Sequence, residues 1–409
     1  MISAMADGET RIDNFATSAD CSSTLSCLES LGVKIARDGN TIVVSGVGKN
    51  GFATPSAALD CGNSGTTMRL LAGIMAGQNF QTVLTGDESL QKRPMKRVIE
   101  PLAKMDADIA SDEGRAPLTI SGRQPLTAIE YRPPVASAQI KSCVLLAGLN
   151  SDGETSIIEP VPTRDHTERM LRWFGVDVKI DKSGGCTRIT VSGDATLTAR
   201  DLIIPSDISS AAFFMVAAAC LDGSDITLPL VGFNPSRSAI FDVLRKMGAD
   251  VQIVTRDEVC NEPVATLRVS GGISFPHPTV PNLVNGDTIA NLIDEIPILA
   301  VFGTQMNGGI EIRDAAELRV KESDRIAAII ENLRRMDAHV TEFDDGFKVG
   351  RSELKGAVVD SFGDHRIAMA FAVAGLLASG ETEIIGARCS DISFPGFFDI
   401  LASVAREGD

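Results

Sequence analysis

An α/β fold of two similar domains, residues 1–205 and 206–409, is predicted by three observations. One pattern recurs six times along the chain, at intervals of roughly 70–85 residues. Three copies fall in each half. Each copy alternates a helix rich in Ala, Leu and Met, a Thr/Ile/Val strand, a second amphipathic helix and a hairpin. The apolar helices suit burial and the amphipathic ones suit the outside of each domain. No low-complexity linker separates the halves, so a tight crossing near Pro205 is expected.

The first copy keeps a stub of its first helix over 2–6, a strand over 10–12, a second helix ending at Leu31 and a hairpin over 33–46. The second opens on Cys61-Gly62-Asn63-Ser64-Gly65-Thr66-Thr67-Met68-Arg69, a small polar turn leading into an apolar run over 70–76. Its strand covers 82–84, its second helix ends at Met105 and its hairpin covers 107–122. The third starts at Ser137-Ala138-Gln139, has a strand over 155–158, a helix ending at Phe174 and a hairpin over 176–193. The fourth starts at Ser206-Asp207 and its second helix ends at Met247. The fifth starts at Ile293-Asp294-Glu295 and its second helix ends at Met336. The sixth starts at Gly363-Asp364-His365-Arg366, has its second helix over 397–404, and stops without a hairpin. A missing N-terminal segment that supplies both the lost helix start and a closing strand is therefore expected.

Composition narrows the function. The chain has 409 residues, 44% hydrophobic and 22% charged, enough for proper cores. Its net charge of −16 argues against nucleic acid or an anionic membrane as partner. With one Trp and one Tyr, base-stacking platforms are not expected either. The eight cysteines are scattered and the four histidines show no metal spacing, so the thiols read as reduced and the protein as cytoplasmic. Cys143 and Cys220 occupy apolar helical patterns and read as core.

Against this acidic background the cations concentrate at loops: Lys92-Arg93-Pro94-Met95-Lys96-Arg97, Arg164-Asp165-His166 and Lys321-Glu322-Ser323-Asp324-Arg325. Helix starts present free N–H groups at the positive end of the dipole, and Gly65 lets a ligand approach the backbone. Together they point to an anionic small molecule. Asp294, Glu295 and Glu322 are candidate acid–base carboxylates. Ordinary readings stand beside these: a solvated loop charge for Arg93, a solvated helix face for 321–325, an N-cap for Asp294 and a surface cap for His365. If buried, His365 should have a depressed pKa beside Arg366 and the helix dipole.

Asn63-Ser64-Gly65-Thr66, Arg93-Pro94-Met95, Ser137-Ala138-Gln139, Lys321-Glu322-Ser323-Asp324-Arg325 and Asp364-His365-Arg366, in this order, resemble the 5-enolpyruvylshikimate-3-phosphate synthase (EPSP synthase) family. The resemblance implies two domains of three βαβαββ units each, with buried parallel helices in an inside-out α/β barrel. It implies enolpyruvyl transfer from phosphoenolpyruvate to the 5-hydroxyl of shikimate 3-phosphate, with no metal or organic cofactor, inhibition by glyphosate, and a monomer. Ser137, Ala138, Gln139, Arg164, Asp294 and Lys321 would hold shikimate 3-phosphate. Asn63, Gly65, Gln139, Arg93, Arg325, His365 and Arg366 would hold phosphoenolpyruvate. Asp294 would take the hydroxyl proton and Glu322 would exchange the proton at the methylene carbon.

The family's opening Pro-x-Asp-Lys-Ser and following Arg do not occur in the sequence, so an N-terminally shortened chain with low solubility and little turnover is expected. Ile392 stands where some members carry a Lys before Ser393-Phe394-Pro395, a Lys that members with the Ser-Ala-Gln and Thr-Arg-Asp-His patterns often lack. Two rivals remain: a non-catalytic form that binds shikimate 3-phosphate, and the UDP-N-acetylglucosamine enolpyruvyl transferases. The second carries a Cys before the Arg-Pro, and residues 86–92 contain none.

Overall fold

The computed structural model describes residues 1–272 and 281–405. The chain divides into two compact units, Met1–Ile204 and Pro205–Asp409.

In the first unit a short 3-10 turn, Ile2–Met5, buries Ala4 and Met5 and leads into β1 (Asp7–Asp13), α1 (Ala19–Ser30) and the hairpin β2 (Lys34–Asp38) and β3 (Thr41–Val47). The second copy is β4 (Leu59–Asp60), α2 (Gly65–Ala76), β5 (Gln81–Thr85), α3 (Glu88–Lys92), α4 (Lys96–Lys104) and the hairpin β6 (Asp108–Asp112) and β7 (Arg115–Ser121). The third is β8 (Glu130–Tyr131), α5 (Ala138–Gly148), β9 (Glu154–Glu159), α6 (His166–Trp173), β10 (Lys179–Asp181) and β11 (Thr187–Ser192), followed by β12 (Leu202–Ile203).

Three four-stranded sheets result, in the orders β12-β1-β3-β2, β4-β5-β7-β6 and β8-β9-β11-β10. Each joins one short parallel strand to an antiparallel set. In the first sheet that strand comes from the far end of the unit, where Ile12 lies opposite Leu202.

The second unit repeats the scheme. Its elements are α7 (Ile208–Cys220), β13 (Asp225–Gly232), α8 (Ala239–Lys246), β14 (Asp250–Val259) and β15 (Glu262–Ser270), then β16 (Leu283–Val284), α9 (Asp287–Ala290), α10 (Ile296–Gln305), β17 (Ile310–Ile312), α11 (Arg325–Arg335), β18 (Val340–Phe343) and β19 (Gly346–Val349). Last come β20 (Val358–Asp360), α12 (His365–Leu377), β21 (Glu383–Ile385) and α13 (Phe397–Val404). Its sheets run β13-β15-β14, β16-β17-β19-β18 and β20-β21 among the described residues.

The apolar helices are the core. Helix α2 packs on α5, and α7, α10 and α12 pack on one another. Side chains of Ala, Leu, Met and Phe are buried all round these helices, as expected of elements with no solvent face. Gly73 permits the close approach of α2 to α5: a Cβ there would lie 2.3 Å from the Cys143 carbonyl oxygen of α5. Cys143 is buried, whereas Cys220, the last residue of α7, is half-buried. The second helices are amphipathic: α4 buries Val98 and Leu102 and turns Lys96, Arg97 and Lys104 outward.

A small polar residue starts most of the buried helices. Ser64 accepts from the Thr67 amide, Ser137 from Ile140, Asp207 from Ser210 and Asp364 from Arg366. Each bond satisfies one of the donors that a helix start leaves without a partner. Capping by Ser64 places the start of α2 at Gly65, earlier than the apolar run from Leu70 suggested.

Candidate active site

In the first unit the start of α2 collects six polar side chains. Asn63 donates to Asp87 at 2.8 Å and accepts from Arg93 Nη2 at 3.1 Å. Arg93 precedes Pro94 and is held extended, at φ −76° and ψ 141°, which aims its guanidinium back at the turn. Gln139, the second residue of α5, accepts from Arg69 Nη1 at 2.7 Å and donates to Thr66 Oγ1 at 2.9 Å. A Cβ on Gly65 would lie 2.9 Å from Arg69 Nη1 and 3.5 Å from Arg93 Nη1, so two guanidinium groups converge over this glycine. Ser137 caps α5, and Ala138 is its first residue. Arg164 is half-buried on the loop before α6.

In the second unit one guanidinium organises the site. Arg325, the first residue of α11, is 1% exposed. Its Nε donates to Asp364 Oδ2 at 2.7 Å and its Nη2 to Asp364 Oδ1 at 3.3 Å, a bidentate pair. Nη2 also donates to Glu322 Oε2 at 2.7 Å, and Nη1 reaches Asp294 Oδ1 at 3.4 Å. Arg366 donates to the Asp294 carbonyl at 3.2 Å and brings Nε within 3.8 Å of its carboxylate.

Asp294 is thus turned to two arginines. The residue that caps α10 is Glu295, which makes no side-chain capping bond. The run 321–325 divides its work. Lys321 pairs with Glu317 at 2.8 Å, Ser323 donates to Asp364 at 3.2 Å and Asp324 caps α11. The structure therefore brings Asp294, Glu322, Arg325 and Arg366 together, and turns Lys321 to Glu317.

The family model for EPSP synthase (3-phosphoshikimate 1-carboxyvinyltransferase) matches residues 1–401. The chain belongs to the EPSP synthase family. A 3-phosphoshikimate 1-carboxyvinyltransferase of Solibacter usitatus is 48% identical over 413 residues, covering 99% of this chain and 93% of the relative. One of Pelotomaculum thermopropionicum is 50% identical over 408 residues, covering 99% and 92%. A solved structure of EPSP synthase from Acinetobacter baumannii superposes with a TM-score of 0.89 at 41% identity, covering 99% of this chain and 92% of that one.

Within this EPSP synthase fold, electrostatics follow from burial and from the arginines. Burial works against charge on Arg325, but Asp364, Glu322 and Asp294 outweigh it and raise its pKa. Burial likewise opposes charge on Asp364, and Arg325 overcomes it, so Asp364 titrates below its ordinary range. His365 is pushed down to about 4, first by burial and then by Arg366, so its imidazole is neutral at physiological pH. Arg69 is lowered to about 10 by burial and by the nearby charges of Arg93 and Arg97. Glu295, buried and accepting from the Ser209 hydroxyl, has its pKa raised by burial against the pull of Arg366.

The sequence reading passed over Arg69 and the part played by Asp364. A single cation in an otherwise apolar helix, four residues after Gly65, was the available signal for Arg69. The one for Asp364 was its place between two short polar runs, but the pairing with Arg325 spans 39 residues of chain. Among the described residues no group of three His, Cys, Asp or Glu side chains is arranged to hold a metal ion. No described helix is long and apolar enough to cross a membrane.

Proposed function

We propose that the chain transfers the enolpyruvyl group of phosphoenolpyruvate to the 5-hydroxyl of shikimate 3-phosphate and releases phosphate. Membership of the EPSP synthase family and full-length relatives named for this activity support the reaction. The observation that carries the residue roles is the shared guanidinium of Arg325, which holds both Asp294 and Glu322. Addition to the enol double bond needs a base at the attacking oxygen and an acid at the methylene carbon. Asp294 takes the hydroxyl proton and passes it to the departing phosphate, while Glu322 delivers a proton to the methylene carbon and later takes one back, so the proton count balances.

Arg93, Asn63, Gln139, the backbone at Gly65, Arg325, His365 and Arg366 are assigned to phosphoenolpyruvate, a reading that family membership supports. Shikimate 3-phosphate is held by Ser137, Ala138, Gln139 and Arg164, with Asp294 and Lys321. Glyphosate occupies the phosphoenolpyruvate site. The protein works as a cytoplasmic monomer. Phosphate release in the presence of both substrates is the test. Calorimetric binding of shikimate 3-phosphate with no phosphate release would overturn the catalytic reading in favour of a binding form.

A further inference from the structure

Beneath the start of α5 lies a group of charged side chains that the reaction does not use. Lys141, on α5, is 1% exposed, and Glu159, at the end of β9, and Glu168, on α6, are each 2% exposed. Lys141 Nζ lies 3.1 Å from Glu159 Oε2 and 2.8 Å from Glu168 Oε1. One ammonium thus joins three elements of the first unit.

The loop over 160–165 is drawn into the same group. Lys141 Nζ donates to the Thr163 carbonyl at 3.5 Å, and the Thr163 hydroxyl donates to Glu159. At the next residue of α5, Ser142 shares a hydrogen bond of 2.6 Å with Thr167, which fastens α5 to α6 a second time. Thr163 is the neighbour of Arg164, and Lys141 lies two residues after Gln139.

This arrangement is poorly explained as a source of stability. Two carboxylates face one ammonium, and the second oxygen of Glu168 is buried with no hydrogen-bond partner among the described residues. Burial raises the Glu168 pKa in consequence. Taking charges out of water costs about what their pairing returns, and apolar replacements of similar volume often fold as well or better. What such a cluster does supply is direction: an ammonium with fixed partners sets the distance between the elements that carry them.

We propose that Lys141, Glu159 and Glu168 are positioning residues that clamp the 160–165 loop to α5, and so hold Arg164 in register with Ser137, Ala138 and Gln139 for shikimate 3-phosphate. The inference rests on the assignment of these residues to the shikimate 3-phosphate site. None of the three touches substrate; each acts through Thr163 and the helix start.

The test is a cycle of variants in the full chain, read by calorimetric Kd and steady-state KM for shikimate 3-phosphate. Replacing the cluster by apolar side chains (Lys141→Met with Glu159→Leu and Glu168→Leu) should leave a folded protein. It should raise the shikimate 3-phosphate KM by about tenfold, because small misplacements of a binding group are costly. The phosphoenolpyruvate KM should stay within about twofold. Thr163→Val, which removes the loop's hydroxyl bond and leaves the charges in place, should raise the same KM by about threefold; it serves as the test if the triple variant does not fold. Arg164→Ala should raise Kd strongly in the parent chain and at least about threefold less in either background, since groups that act through one another are not additive. Additive effects, or an unchanged KM in a folded variant, would overturn the clamp. A parent Arg164→Ala with unaltered Kd would instead overturn the site assignment, and the clamp with it.

Discussion

Replacing Gly65 by Ala tests the crowding over the first turn of α2. Gly65 does not have a positive φ, so the backbone accepts a side chain without strain. Its new methyl would meet Arg69 Nη1 at 2.9 Å, and an ordinary contact requires that atom to retreat by about 0.5 Å. Arg69 can yield, because it is met at the far end of a flexible side chain, but it is tied to Gln139 at 2.7 Å. Arg93 Nη1, at 3.5 Å, need not move. The cost is therefore paid by ligands that fill the space above the glycine. A stretched charge-assisted bond loses about 1 kcal/mol of the roughly 1.5–3 kcal/mol such bonds supply. That corresponds to about a fivefold rise in the KM for phosphoenolpyruvate. Glyphosate is longer than phosphoenolpyruvate, so if it occupies the proposed phosphoenolpyruvate site the methyl crowds it more, and its inhibition constant should rise at least about tenfold more than that KM. The assay is initial-rate phosphate release at varied phosphoenolpyruvate and fixed glyphosate. Equal changes in the two constants would refute the steric reasoning, and so would a large loss of melting temperature.

Three further outcomes follow from the second unit. Glu322→Gln and Asp294→Asn should each lower kcat by roughly 10²–10⁴, far more than they weaken shikimate 3-phosphate binding, as measured by calorimetry beside turnover. Near-normal turnover would remove that residue from the mechanism. Arg325→Lys should destabilise the protein by about 3–5 kcal/mol in denaturant unfolding, because an ammonium cannot span Asp364, Glu322 and Asp294 and buried carboxylates are left without a partner. His365 titrates near 4 in the folded state and near 6.5 unfolded, so the unfolded chain binds the extra proton first as pH falls. Stability from this residue is complete above pH 6.5, declines between 6.5 and about 4, and is constant below. The loss should reach about 3 kcal/mol relative to His365→Gln, seen as a widening gap in unfolding free energy between the two proteins across that window.

Much of the fold was legible because it is written in local chemistry. Short polar residues ahead of apolar runs marked the starts of α2, α5, α7 and α12, and Ser or Asp does cap each one. The second helices were legible from their apolar stripe, and α13 lies over the same residues, 397–404, that the pattern indicated. Pairings between distant segments were not legible. Strand β12 contributes two residues, too few for any period to show, and its partner β1 lies 190 residues away. At Asp294-Glu295 either carboxylate could cap the helix by composition. The choice is made by Arg325 and Arg366, which draw Asp294 away from α10 and leave the cap to Glu295. Lys141 reads as one more polar residue in a helix, because nothing local announces carboxylates 18 and 27 residues further on.

The three carboxylates on Arg325 are not equivalent, and burial decides which of them is free to do chemistry. Asp364 is fully buried, holds two nitrogens of the guanidinium, caps α12 through the Arg366 amide and accepts from Ser323. Removing it would take from Arg325 its bidentate, fully buried partner and leave the start of α12 without its cap. Asp294 and Glu322 have side chains 21% and 31% exposed and bind the remaining Nη1 and Nη2 positions. An anion that arrives at this guanidinium competes with those two and not with Asp364. Under the proposed roles, a substrate anion bound there would draw Arg325 away from Asp294 and Glu322, the two carboxylates assigned to proton transfer.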